Sequence, residues 1–472
     1  MVGLGNEGRL PFRMADGYDV VVIGAGTGGY SAALRAAQLG KRVALVDRDD
    51  RLGGTCLLRG CIPTKALLQS AAVMDTVNRS AEWGIKAAGE PDWSAVKDFE
   101  SSMVTKLVQG VTGLVEHRGI DVVNGTARLL AGPAIDVDGR RIEAGDVIIA
   151  SGSRPKLLPD VQITDRVITS DQALWYDRIP ESAVVIGAGA VGLEFASLYR
   201  SLGVEVTLLE ALPRLAPLED EDVSKQIARA FRKRGIASAA GVSVKSVVDT
   251  GDSVEVAYDA AGEKVVIADV CLIAVGRGPV TEDLALEDAG VALHEKGFVA
   301  VDGNLRTNVE HVWAVGDVAA TPLQLAHVAF TEGYAVAERI AGIDVPEIDY
   351  VNIPRVTYCS PEIASVGLTE AQARDEGREI TVEKLDFRAI GKANIVGETG
   401  LVKVVADASG GPVLGIHMIG PHVTDLVAEA MLITNWEAVP AEVAALIHPH
   451  PTLSEAIGEA HLALAGKPLH TA

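Results

Sequence analysis

The chain has 472 residues, with 42 lysines and arginines against 64 aspartates and glutamates, for a net charge of −22. That balance argues against nucleic acid or an anionic membrane as its main partner. The length exceeds what one hydrophobic core fills, so several domains are expected, and four cysteines are too few for a secreted disulfide framework.

No run of about 18 uncharged apolar residues occurs, so no membrane span is expected. Residues 1–17 hold charges and glycines but no apolar stretch of signal type, and are expected to be a flexible extension of a cytoplasmic protein. Tyr18 to Ile23 is then a β-branched run ending in Gly24-Ala25-Gly26-Thr27-Gly28-Gly29. A helical stretch from Ser31 to Leu39 and a strand from Arg42 to Asp47 complete a βαβ unit. In such a unit Gly24 permits the tight turn, Gly26 lets a pyrophosphate approach, and Gly29 lets helix and strand pack closely. The helix N-H groups meet the phosphate, and Asp47 at the strand end is placed to bond a ribose.

Next come Gly53-Gly54-Thr55-Cys56-Leu57-Leu58-Arg59-Gly60-Cys61-Ile62-Pro63-Thr64-Lys65. On one ideal helix, Cα atoms of residues i and i+5 lie roughly 8–9 Å apart, whereas a disulfide needs less than about 7 Å. A bridge between Cys56 and Cys61 on a helix therefore predicts a distorted first turn, and strained bridges are the easily reduced ones. Pro63 suits a helix start, which puts Cys61 near a helix N-terminus where thiolate is favoured. Lys65 follows one turn on, on the same face, and is expected to face a cofactor. No second Cys/His pair at ligand spacing exists, so no metal is expected.

Asp146 to Ala150 is expected to be a strand leading through Ser151-Gly152-Ser153-Arg154-Pro155 into another domain. Ala183 to Ile186 then opens a second βαβ unit: Gly187-Ala188-Gly189-Ala190-Val191-Gly192, a helix from Leu193 to Leu202 and a strand from Glu205 to Glu210. Two fingerprints in one polypeptide are far more specific than one. Glu194, a carboxylate in that apolar helix, is a candidate partner for Lys65. Val270 to Arg277, ending in Gly276-Arg277, marks a second crossing, and Val312 to Val315 leads to Gly316-Asp317. From about Ile353 no phosphate-binding turn appears, and a separate α/β domain is expected. Cys271 and Cys359 sit in strand-like apolar contexts and are expected in the core. Near the C-terminus His450 and Glu455 form the pattern of a base with an orienting carboxylate.

These motifs together resemble the flavoprotein disulfide reductases, class I of the pyridine nucleotide-disulfide oxidoreductases, and within them the dihydrolipoamide dehydrogenases. The likeness runs from about Tyr18 to Lys467, with Ala314-Val315-Gly316-Asp317, Leu325-Ala326-His327 and His450-Pro451-Thr452-Leu453-Ser454-Glu455 among its signatures. It implies an α/β fold with two Rossmann-like domains and a C-terminal dimerisation domain. The implied divisions are 18–154 for FAD, 155–277 for NAD, 278–347 as a central domain and 348–472 as the dimer interface. FAD would be held by Gly24, Gly26, Gly29, Asp47, Gly54, Thr55, Lys65, Ala127, Gly152, Asp317 and Ala326. NAD would be held by Gly187, Gly189, Gly192, Glu210, Val244 and Gly276. The resemblance also implies that Cys56 exchanges with substrate, that Cys61 faces the flavin, and that Lys65 pairs with Glu194. His450 and Glu455 would serve the cysteines of the other subunit of a homodimer, with a lipoyl-carrying acyltransferase as partner. The alternative within the family is a mycothione or glutathione reductase. Against NADPH, the arginines of NADPH-using relatives align with Ala211 and Pro217, and Arg214 stands at neither place; Glu210 would repel a 2′-phosphate. Ala190 is small where glutathione reductase has a tyrosine. Asp47 departs from the usual glutamate, and Leu58-Arg59 from the usual Asn-Val. Arg59, if aimed at the sulfurs, would lower their pKa.

Overall fold

The computed structural model describes residues 17–470; residues 1–16, nearly all of the expected extension, and the last two residues lie outside it. The chain folds into two compact units, each assembled from three stretches. The first contains the chain up to Leu57, Leu107–Ser153 and Gly278–Ile348; the second contains Leu58–Lys106, Arg154–Arg277 and the rest from Asp349.

In the first unit a parallel sheet runs Asp121–Asn124, Val43–Asp47, Tyr18–Ile23, Arg140–Ile149, with Val312–Ala314 pairing on the last of these. Arg140–Ile149 serves two sheets. Its second half joins the parallel pairing, while its first half pairs antiparallel with Ala134–Val137, which pairs with Ala127–Leu129. The parallel strands are near-continuous Val, Ile, Leu and Ala because both their faces are covered. The helices Thr27–Gln38 and Ala326–Ile340 pack close on one face. A Cβ at Gly333 would meet the Ser31 Oγ at 2.3 Å and the Gly28 carbonyl at 2.5 Å, so only glycine allows that crossing.

The second unit repeats the architecture: Ala237–Ala240, Glu205–Glu210, Ser182–Ile186, Val270–Ile273 and Val167–Thr169, all parallel. A three-stranded antiparallel sheet spanning Ser243–Ala268 and a five-stranded antiparallel sheet accompany it. The five-stranded sheet is ordered Arg355–Thr357, Glu362–Gly367, Val413–Gly420, Leu401–Asp407, Ile380–Asp386. A separate α/β domain is expected from about Ile353; its sheet belongs to the same compact unit as the second parallel sheet. Its core of Phe387, Val402, Ile416 and Met418 packs against Ile433 and Ile457 of the helices Val423–Asn435 and Glu455–Leu464.

The C-terminal sheet is fastened to the helix Glu221–Lys233 by Lys403, which is 2% exposed. Its Nζ lies 2.9 Å from Asp220, 2.7 Å from Asp222 and 2.8 Å from Glu370. Burial alone would raise the Asp222 carboxyl, but Lys384 and Lys403 outweigh it and hold its pKa at about 2. A depressed carboxyl contributes stability above its unfolded pKa near 4, and that contribution is lost as pH falls toward 2. Asp222→Asn is therefore expected to cost about 2 kcal/mol at pH 7 and almost nothing near pH 2. Thermal unfolding of both proteins across that pH range checks this.

Cys271 lies in the strand Val270–Ile273 and Cys359 in a bend after Arg355–Thr357, not in a strand as its context suggested. Both are buried. Burial pushes the Cys271 thiol up to about 12, and that of Cys359 higher still. Both are core thiols, as expected.

Candidate active site

The two fingerprints fold into near-identical cradles. Gly24 and Gly187 both have φ +104°, and a Cβ there would meet a carbonyl oxygen at 2.3 Å, of Ala150 and Ala274 respectively. A Cβ at Gly29 would strike the Gly24 carbonyl at 1.7 Å, and one at Gly192 the Gly187 carbonyl at 1.8 Å. The helices they open, Thr27–Gln38 and Ala190–Ser201, start at Gly26 and Gly189, and no side chain caps either. Backbone N-H groups without a cap at a glycine turn are what a pyrophosphate needs. The residues present therefore fit FAD and NAD.

Each cradle is closed by the carboxylate at the end of its second strand. The Ala25 N-H donates to the Asp47 Oδ2 at 2.5 Å and Asp49 N-H to its Oδ1 at 2.9 Å. In the second unit Ala188 N-H donates to the Glu210 Oε2 at 2.6 Å and Leu212 N-H to its Oε1 at 2.7 Å. Asp47 thus makes the same bonds as Glu210 despite its shorter side chain. Arg214 is turned into its own loop, donating to the Pro217 and Glu219 carbonyls at 3.0 and 3.2 Å.

Of the other residues expected at the FAD site, all but Lys65 belong to the first unit. A Cβ at Gly54 would meet the Gly26 Cα at 2.6 Å, so the turn before Cys56 lies against the pyrophosphate cradle. Asp317 occupies a turn of 3₁₀ helix, where its Oδ2 accepts from Ser153 Oγ at 2.5 Å. Ala127 and Ala326 begin the strand Ala127–Leu129 and the helix Ala326–Ile340. Glu332, which sequence reasoning missed, is fully buried and accepts from Gly316 N-H at 2.6 Å, fixing the Gly-Asp turn. Its signal was available: a carboxylate in the middle of an apolar helix, the cue that singled out Glu194. Gly152 and Gly276 have positive φ where the chain passes between units, and Val244 sits in the three-stranded sheet.

Cys56 and Cys61 do not share a helix. Cys56 belongs to a short helix, Gly54–Arg59; Gly60, at φ −153° and ψ −111°, interrupts it; and a second helix, Cys61–Arg79, starts at the other cysteine. The single helix on which that misfit rests does not form; the chain breaks at Gly60 instead. Thr64 secures the new start, its N-H and Oγ1 both donating to the Gly60 carbonyl, at 3.1 and 2.6 Å. No side chain caps this helix, so its positive end stands beside the Cys61 sulfur.

Lys65, four residues on, donates to both Glu194 oxygens at 2.8 Å. Burial works against its ammonium, but Glu194, and after it the Cys61 sulfur, hold its pKa above the ordinary value. The charges are interdependent: Glu194 is 5% exposed, and a buried carboxylate stripped of its partner costs about 3 kcal/mol or more. Burial pushes the Asp171 carboxyl up, and Arg277 and Arg59 pull it back.

His450 and Glu455 pair as their spacing suggested, Nδ1 to Oε1 at 2.8 Å, and Thr452 N-H donates to the Glu455 Oε2 at 2.8 Å. Burial alone would raise Glu455, yet Thr452 and His450 hold it below the usual carboxylate range. An ionised Glu455 only accepts, so His450 Nδ1 carries the proton and Nε2 is left as the basic nitrogen. The His450 side chain is 76% exposed. His448 is paired too, its Nε2 2.7 Å from the Glu429 Oε1, but its side chain is only 12% exposed; a Cβ at Gly458 would strike its Nδ1 at 2.5 Å. Exposure thus separates the accessible histidine from the structural one. Among the described residues no group of three or more His, Cys, Asp or Glu could hold a metal, and no helix is long and apolar enough to cross a membrane.

The pyridine nucleotide-disulphide oxidoreductase family model matches residues 18–333, and that family's dimerisation domain matches residues 353–461. The dihydrolipoyl dehydrogenase of Bacillus subtilis is 42% identical over 477 residues, covering 97% of this chain and 100% of that protein. That of Corynebacterium glutamicum is 39% identical over 466 residues, covering 96% and 99%. Among solved structures, LpdA from Mycobacterium tuberculosis superposes with a TM-score of 0.87 at 27% identity, covering 94% of this chain and 99% of that one. The HOCl-induced flavoprotein disulfide reductase RclA from Escherichia coli gives 0.85 at 28% identity, with the same coverage.

Proposed function

The chain belongs to the pyridine nucleotide-disulphide oxidoreductases, and on that premise we propose that it is a dihydrolipoyl dehydrogenase. It oxidises a protein-bound dihydrolipoyl group to the disulfide and reduces NAD. The observation that carries the reading is near-full-length likeness to dihydrolipoyl dehydrogenases at about 40% identity, with Cys56 and Cys61 both in place. The partner is a lipoyl-carrying acyltransferase or a similar lipoyl protein, met in the cytoplasm.

The residues divide the work. His450 Nε2 takes the proton of one dihydrolipoyl thiol, and Glu455 stabilises the imidazolium that results. The lipoyl thiolate attacks Cys56 of a Cys56–Cys61 disulfide and releases the Cys61 thiolate, which the open helix end and Lys65 stabilise. The second lipoyl thiol then attacks the lipoyl sulfur of the mixed disulfide, forming the lipoyl S–S bond as its proton passes to the departing Cys56 sulfur. The first cradle would hold FAD and the second NAD, and the bound flavin would supply the two-electron redox chemistry that links dithiol to nicotinamide. With its active site shared across a homodimer, His450 serves the cysteines of the partner subunit.

The test is an anaerobic assay of NAD reduction by dihydrolipoamide, run beside NADPH oxidation by glutathione or mycothiol disulfide. Dihydrolipoamide turnover with NAD is expected to dominate. Turnover only with another disulfide would replace the substrate assignment while leaving the family intact. Glu210→Ala is expected to lower kcat/KM for NAD about tenfold or more and to narrow the preference over NADP, because a charge-assisted bond to the ribose and its repulsion of a 2′-phosphate are lost together. Steady-state kinetics with both nucleotides reads this.

A further inference from the structure

We propose that Tyr358 is a positioning residue for Lys65: its ring and its backbone N-H hold the lysine–glutamate pair in one arrangement, so that the ammonium stays aimed at the cofactor. This rests on the reading that Lys65 faces the FAD, but it adds a residue outside every motif considered so far.

The geometry lies within one compact unit. The Lys65 Nζ stands over the Tyr358 ring, 4.8 Å from its centroid, within the roughly 6 Å at which a cation is attracted to an aromatic face. Tyr358 N-H donates to the Glu194 Oε1 at 3.0 Å, the same oxygen that accepts from Lys65 at 2.8 Å. One residue thus touches both members of the pair, the cation through its ring and the carboxylate through its backbone. A lysine stem is long and flexible. Here the carboxylate and the ring confine its end, and with two of its three N-H groups directed to Glu194 one remains for another acceptor.

The ring cannot easily move away, because its backbone is fastened to the helix that carries Glu194. Two residues on, Ser360 N-H donates to the Ser197 Oγ at 2.8 Å, and Cys359 between them is 1% exposed. Arg234 closes the arrangement, donating to the Ser197 Oγ at 2.7 Å and to the Ser360 carbonyl at 2.9 Å. Its other nitrogen reaches Asp75, on the same helix as Lys65, at 2.9 Å. The segment from Tyr358 to Ser360 therefore links the Lys65 helix, the Glu194 helix and the dimerisation domain.

The experiment compares Tyr358→Leu, Tyr358→Phe and Lys65→Met holoenzymes by anaerobic titration with NADH. It reads the equilibrium ratio of oxidised to reduced FAD from its absorbance. Tyr358→Leu is expected to move that ratio about threefold toward oxidised flavin, equivalent to about 0.7 kcal/mol, because a less confined ammonium favours the reduced, more electron-rich flavin less. Tyr358→Phe keeps the ring and is expected to match the native ratio. Lys65→Met is expected to shift further than Tyr358→Leu. A native ratio in Tyr358→Leu beside a shifted Lys65→Met overturns the proposal alone. A native ratio in Lys65→Met overturns the reading that Lys65 faces the flavin, and the proposal with it. A Tyr358→Phe shift equal to that of Tyr358→Leu also overturns it, since the ring is retained. Tyr358 is 37% exposed, so the leucine variant is expected to fold; Tyr358→Met gives the same comparison should leucine pack badly.

Discussion

Cys56→Ser and Cys61→Ser are each expected to lower dihydrolipoamide-dependent NAD reduction by about a thousandfold or more, while oxidation of NADH by ferricyanide persists. A hydroxyl neither exchanges with a disulfide nor stores an electron pair, so no residual route carries electrons from the dithiol. Oxidation of NADH by an artificial acceptor needs only the two nucleotide cradles, and neither cysteine forms part of their glycine turns. Parallel assays with the two electron acceptors measure the separation. Equal loss in both would mean that the serine variants had lost their cofactor, and equal retention would remove the cysteines from the reaction.

Mixing two inactive variants is expected to restore activity. His450→Gln alone should reduce turnover by about a hundredfold to ten-thousandfold, the usual span for a general base, and Cys56→Ser should abolish it. Random assortment of the two makes half the dimers mixed. Each mixed dimer has one site in which a native Cys56 of one subunit meets a native His450 of the other, so about one quarter of native activity should return. Co-refolding or co-expression followed by assay reads the fraction. No recovery would place His450 with the cysteines of its own chain. Its 76% exposure within a single chain and the matched dimerisation domain support the shared arrangement.

Much of this was legible from residue order because it is local. Each cradle lies within a single βαβ unit, where the turn, the helix start and the carboxylate are separated by about 25 residues or fewer. The carboxylate's place at the strand end follows from counting. The same holds for His450 and Glu455, five residues apart, and for Cys61 at a helix start ahead of Pro63. Even the misfit of Cys56 and Cys61 on one helix was visible as a distance; that their helices are separate needed the conformation of Gly60.

What residue order determined by itself was therefore two nucleotide cradles, a dithiol between them and an acid–base pair at the end: groups whose partners lie within a turn or a supersecondary unit. The tertiary structure alone decided which distant side chains complete them. Helical periodicity put Lys65 and Glu194 on faces but could not say that Tyr358 would cover one and bond the other. Nor could it show that Glu332 would reach Gly316, or that His448 would be largely covered while His450 remained accessible. Those choices depend on which helices cross and how closely. That is set by packing over hundreds of residues, at contacts such as Gly333 against Gly28, where a single added carbon would separate the elements.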